Sequence, residues 1–157
     1  MSRELVVTVS RTFHTVPSFG YVVWERRKKL RPEFSELTGE QIRDLRLAGT
    51  EITYEVRIPR VAYLGDSTAQ GLDYNPDMFK AEILITEMTF VAPDHRREAI
   101  KKFGHLHLDD ILERRDRFEN KVIIAAHFST RYNDRQILTQ VKKRIPDFLD
   151  GRLKLWF

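Results

Sequence analysis

Three short apolar runs in the chain each end in a residue able to do chemistry. Val61-Ala62-Tyr63-Leu64 leads into Gly65-Asp66-Ser67-Thr68, Ile83-Leu84-Ile85-Thr86 into Glu87, and Val122-Ile123-Ile124-Ala125-Ala126 into His127. Runs of this length and β-branched content read as buried strands, and in open α/β sheets ligands sit at the carboxyl ends of strands. Taken singly each signal is weak. Gly-Asp-Ser-Thr is equally a turn or a helix N-cap, and a lone histidine after a strand is more often packed than ligating. Recurrence at three strand ends points to one site of carboxylate and imidazole chemistry, whether acid–base or metal-binding. His105 and His107, in Gly104-His105-Leu106-His107, either chelate one metal together or divide into an acid–base residue and a packed one. His95, in the polar turn Pro93-Asp94-His95-Arg96-Arg97, reads as structural.

Elements must bring these residues together. Leu5–Val9 and Tyr21–Trp24 read as strands, and the turn Pro17-Ser18-Phe19-Gly20 joins them as a hairpin with His14 near the bend. Residues 26–58 are the least regular stretch, an insertion holding a short helix between Gly39 and Gly49. Beyond Arg60 the strands at 61–64, 83–87, 122–126 and 153–157 alternate with helical stretches at 76–82, 96–103, 108–119 and 134–145. That alternation predicts an α/β layered fold.

Composition narrows the chemistry. At 157 residues, 41% hydrophobic and 32% charged, the chain has the profile of one globular domain with a buried core. It has no cysteine, so any metal site is built from His, Asp and Glu, and the sequence suits a reducing cytoplasm. No apolar run approaches the roughly 18 residues of a membrane span, and the N-terminus does not read as a signal peptide. The net charge of +4 permits nucleic acid as a partner without requiring it. The local run Glu25-Arg26-Arg27-Lys28-Lys29-Leu30-Arg31 is strongly basic, either a solvated loop or a phosphate-binding segment.

Five segments in order carry a resemblance: His14-Thr15-Val16-Pro17-Ser18-Phe19-Gly20-Tyr21, Tyr63-Leu64-Gly65-Asp66-Ser67-Thr68, Glu87-Met88-Thr89-Phe90, Gly104-His105 and His127-Phe128-Ser129-Thr130-Arg131-Tyr132. The series is similar to the C-terminal half of tRNase Z, the zinc endoribonuclease of the metallo-β-lactamase superfamily that trims tRNA precursors on the 3′ side of the discriminator. The resemblance implies that residues 1–157 form half of an αββα sandwich, a mixed sheet flanked by helices. It implies two zinc ions, with His14 completing the first site, Asp66 bridging the two and His127 on the second. It further implies that Glu87 orients His105, a non-ligand that protonates the leaving 3′ oxygen. Residues 26–58 fall where the family carries a tRNA-binding arm, here short and basic, with Arg26, Arg27, Lys28, Lys29 and Arg31 facing phosphate.

The departures shape what to expect of this chain. The family's H-x-H-x-D-H motif is absent, Thr86 stands where many members have histidine, and Ser67 replaces the usual threonine. Catalytic zinc takes about three protein ligands per ion, so three ligands shared between two sites hold no productive dinuclear centre. The chain is therefore expected to need an N-terminal half, or else to act as a non-catalytic module that covers its exposed sheet by homodimerisation.

Overall fold

The computed structural model describes residues 4–93 and 102–157. Six strands form one sheet in the order of the chain. β1 (Glu4–Arg11), β2 (Phe19–Leu30) and β3 (Thr53–Tyr63) are antiparallel, and β4 (Ile83–Glu87), β5 (Val122–Ala126) and β6 (Leu153–Leu155) follow parallel to β3. The parallel half needs crossovers. These carry α2 (Gln70–Tyr74) and α3 (Asp77–Lys80), then α4 (Leu108–Glu113), then α5 (Asp134–Arg144). α1 (Gly39–Leu47) stands apart, between β2 and β3.

Strand alternation gives the sheet two different faces. Val22, Ala62, Leu84, Ile123 and Leu153 are buried in one core with Leu72 and Met78, Ile111 of α4, and Ile137 and Val141 of α5. Removing a fully buried leucine such as Leu84 from a core of this kind costs about 2–5 kcal/mol. The opposite face pairs Val9 with Tyr21 and Tyr21 with Tyr63, and Val61 with Ile83 and Ile83 with Val122. It is apolar yet open: Val7, Val9, Tyr21 and Tyr63 are 40–58% exposed. The fold is thus one sheet and one helical layer, with a second apolar face left bare.

Residues 26–58, expected to be the least regular stretch, are regular. β2 continues to Leu30 and pairs with β3 from Arg26↔Arg57 to Leu30↔Thr53, making a two-stranded ribbon. α1 caps the ribbon, started by a reciprocal bond between Thr38 and Gln41 and burying none of its residues. A ribbon solvated on both faces carries no apolar alternation, so its strands are silent to pattern reading. Where it leaves the sheet, the register shifts between Val23 and Trp24. Val23 pairs with Val61 and Trp24 with Pro59, leaving Arg60 as the extra residue of a bulge beside a proline that has no N–H to give.

The remaining differences are small. α4 ends at Glu113 rather than running to residue 119: Arg114 leaves helical dihedrals and its guanidinium grips Asp73, with bonds of 3.0 and 2.6 Å. α2 was not anticipated, and α3 fills part of the expected turn at 76–82. The last strand stops at Leu155. His95, and all but the last two residues of the helix expected at 96–103, lie outside the described residues.

Candidate metal centre

Because β3, β4 and β5 are adjacent and parallel, their carboxyl ends meet at one edge of the sheet. The chain leaves β3 through Leu64 and Gly65 to Asp66, β4 ends on Glu87 itself, and β5 is followed at once by His127. His127 has φ 57, a left-handed backbone that is rare outside glycine and asparagine. Thr89 secures it: its hydroxyl lies 3.2 Å from His127 Nδ1 and 3.1 Å from the His127 carbonyl. Strain held in place by neighbouring bonds is common at functional sites.

Glu87 is the hub. Its buried carboxylate accepts from the Ser67 N–H at 2.7 Å, the Leu106 N–H at 3.1 Å and the Thr89 hydroxyl at 2.5 Å. It also takes His105 Nδ1, at 3.0 and 3.1 Å to its two oxygens. A carboxylate can only accept, so Nδ1 of His105 carries the proton and Nε2 is the nitrogen free to exchange one. The hydrogen bond that His105 gives to Glu87 raises the His105 pKa above its ordinary 6.5. Burial opposes the rise, and the charges of Glu87 and Asp66 add to it.

Donor atoms of Asp66, His105 and His127 lie within 4.8 Å of one another, and Asp66 Oδ1 is 3.8 Å from His127 Nδ1. Ligands of one tetrahedral ion, each at about 2.0–2.2 Å, stand roughly 3.4 Å apart; because the Thr89 hydroxyl gives its proton to Glu87, His127 Nδ1 donates to Thr89 and Nε2 is the nitrogen left for an ion. One carboxylate and two imidazoles suit a divalent transition metal and leave a coordination position open. His14 is not one of the three. Its ring packs edge-on to that of His105, 4.8 Å between centroids, and its Nδ1 accepts the Val16 N–H at 3.3 Å. His105, expected as a non-ligand, stands as close to the cluster as the expected ligands do.

His107 resolves the two-histidine alternative: it is a buried cap. Its Nδ1 accepts from the Asp109 N–H at 3.0 Å to start α4, and its Nε2 bonds the Ala92 carbonyl at 2.9 Å. It therefore takes no part in a chelate with His105.

The loop bearing His14 is stitched to the loop bearing Asp66. Thr12 Oγ1 donates to the Asp66 carbonyl at 3.1 Å, the Phe13 N–H to Ser67 Oγ at 3.1 Å, and the Thr68 N–H to the Phe13 carbonyl at 2.7 Å. Two glycines with positive φ let the backbones approach this closely. A Cβ on Gly65 would lie 2.5 Å from the Phe19 carbonyl oxygen, and one on Gly104 2.9 Å from the Thr15 nitrogen and 3.0 Å from His14 Cα. Residue types alone did not mark Thr89, Ser67 and Gly104 as site residues. All three fall in the segments that carry the resemblance, and Thr89, two positions past Glu87, lies on the same side of an extended chain.

The five basic residues of the ribbon are not equivalent. Arg26 pairs with Glu4 and Glu55, Arg27 with Glu25, and Arg31 with Glu51 and Glu33. Glu25 is also held by Arg60, 2.6 Å away across the bulge. The Arg27 guanidinium foremost, and then Arg60, take the Glu25 pKa down to about 2 against the opposing effect of burial. Lys28 and Lys29 are exposed and have no ion pair among the described residues.

No family model matches the chain. It is 37% identical over 153 residues to tRNase Z TRZ1 of Arabidopsis thaliana, covering 96% of this chain and 54% of that protein. It is 34% identical over 145 residues to the chloroplastic tRNase Z TRZ2 of the same plant, covering 91% and 41%. The chain thus spans about half the length of the curated relatives it matches. Among solved structures, the metallo-β-lactamase fold protein YhfI of Bacillus subtilis superposes with a TM-score of 0.57 at 15% identity, over 97% of this chain and 47% of that one. The sheet and its helical layer are half of a metallo-β-lactamase fold.

Proposed function

Starting from its homology to the C-terminal half of tRNase Z, we propose that this chain is one half of a zinc-dependent endoribonuclease that trims the 3′ ends of tRNA precursors. The carrying observation is the convergence of Asp66, His105 and His127, with Glu87 locking the His105 tautomer. Asp66 and His127 would hold zinc together with ligands from the other half of the enzyme, with His14 packed beside His105. Zinc, when bound, supplies Lewis acidity and positive charge at the phosphate.

The chain's own residues do the rest. His105 hydrogen-bonds through Nδ1 to Glu87 and delivers a proton from Nε2 to the leaving 3′ oxygen. Thr89 fixes the His127 ring, and Glu87 aligns the His105 segment through the Leu106 N–H. The ribbon of residues 26–58 serves as the arm, with Lys28 and Lys29 meeting phosphates. The bare sheet face is where the complementing half packs. Among the described residues no helix is long and apolar enough to cross a membrane, and the compartment we propose is the reducing cytoplasm.

The test supplies a polypeptide bearing H-x-H-x-D-H and measures zinc stoichiometry and tRNA-precursor cleavage together. Asp66→Ala and His127→Ala should lose both, and His105→Ala should lose cleavage while keeping zinc. Cleavage that survives Asp66→Ala and His127→Ala would overturn the assignment. A stable metal-free homodimer that ignores the complementing half would favour the non-catalytic module instead.

A further inference from the structure

Two clefts flank His105, and their chemistry differs. The larger, about 500 Å³, is lined by Asp73, Asp109, Asp110 and Glu113, together with Thr68 and Gln70. Its guanidinium, Arg114, is spent on Asp73, which Arg117 also holds, and Arg144 is spent on Asp109. The smaller, about 350 Å³, is lined by His14, Thr15, Phe90, Phe103, Ser129 and Arg131, and among the described residues no carboxylate lines it. Arg131 is exposed and has no ion pair among the described residues.

The aromatic lining of the smaller recess is uneven. Phe90 is 6% exposed, with its ring nearly perpendicular to His105 at 6.3 Å. Phe103, one residue before Gly104, is 49% exposed. An open aromatic face beside hydroxyls and an uncommitted guanidinium is the chemistry that holds a single-stranded nucleotide, with the ring stacking the base and the cation meeting phosphate. Of the two clefts, only the smaller offers a polyanion passing His105 a cation without an ion pair among the described residues.

We propose that this recess receives the unpaired nucleotide next to the scissile phosphate, its base against Phe103 and a phosphate on Arg131. The acidic cleft stays free of the strand. The inference rests on the reading of the substrate as RNA, and it adds where the strand lies and which residues grip it without using sequence.

The test measures anisotropy of a fluorescein-labelled trinucleotide RNA and of its analogue abasic at the central position. Each is titrated with the chain alone and with the chain joined by its complementing half. The base-bearing probe should bind about tenfold tighter than the abasic one, a difference that Phe103→Ala removes and Phe103→Tyr keeps. Arg131→Ala should weaken both probes equally and lower the salt dependence by about one released ion. Gln70→Ala, in the acidic cleft, should change neither. Equal binding of the two probes overturns the proposal, as does a difference that survives Phe103→Ala or disappears with Gln70→Ala. If the probes behave as expected but tRNA precursor stays uncut, the nucleotide site stands and the tRNA-processing reading falls. Cleavage that is indifferent to Phe103 and Arg131 does the reverse.

Discussion

Glu87→Gln isolates what the buried carboxylate contributes. Four groups donate to it: the Ser67 and Leu106 N–H groups, the Thr89 hydroxyl and His105 Nδ1. An amide keeps one acceptor oxygen and turns the other into a donor. If the NH₂ takes the Oε1 position it faces the Ser67 N–H; at Oε2 it faces Leu106 and Thr89. Thr89 escapes by donating to the His127 carbonyl, but one backbone N–H is stranded either way. A buried donor without a partner costs about 1–3 kcal/mol, and the lost charge assistance to the others brings the expected loss to about 2–4 kcal/mol. Urea denaturation measures it. The substitution should also return the His105 pKa toward 6.5, read by NMR titration of the ring. The sign of the pH dependence follows from that shift. Because the folded pKa is raised, the Glu87–His105 pair stabilises the protein fully below the unfolded value of 6.5 and loses that contribution as pH rises through the folded value. The variant should show no such slope. A loss under about 1 kcal/mol together with an unmoved His105 titration would refute the hub.

Gly104→Ala should cost about 1–2 kcal/mol for a left-handed alanine, and more from the clash with Thr15 and His14; weakened metal binding by equilibrium dialysis should accompany it. Lys28→Ala with Lys29→Ala should flatten the salt dependence of RNA affinity by about one ion per lost phosphate contact. Arg27→Ala should instead lower the thermal midpoint, and it should erode the acid resistance that Glu25, with its pKa near 2, provides until pH falls through that value. Val9→Glu with Tyr63→Glu should abolish assembly with the complementing half in sedimentation velocity while leaving the urea midpoint nearly unchanged, because both side chains already face solvent.

β4 and β5 were legible because both faces of each strand carry apolar residues and so read as continuous apolar runs: they begin and end where the residue types say. α5 was equally clear, with Asn133 capping it and Ile145 and Pro146 closing it. The ribbon was not, since its strands alternate charge with charge and are held by pairs such as Arg26–Glu4 and Arg57–Glu55 that no periodicity announces. At the site, strand ends were enough to bring Asp66, Glu87 and His127 to one edge. The nearness of His105 to Asp66 and His127 was not readable, because it depends on Glu87 drawing the Leu106 segment inward across 19 residues of chain. His14 stood at the hairpin bend as expected, but its distance from the cluster is set by backbone approach at Gly104, which residue type alone does not express.

The stitching between the Thr12–Phe13 segment, the Asp66–Thr68 turn and Glu87 carries a consequence for the order of events. Every one of those bonds is protein to protein, so the loops are held once the chain has folded, and an ion would bind to a scaffold already in place. In small zinc modules the ion is what folds the chain, and chelators unfold them. Here a chelator should strip the centre and leave the scaffold standing. The ordering entropy of these loops has already been spent by the fold, so an ion would meet them without first having to order them.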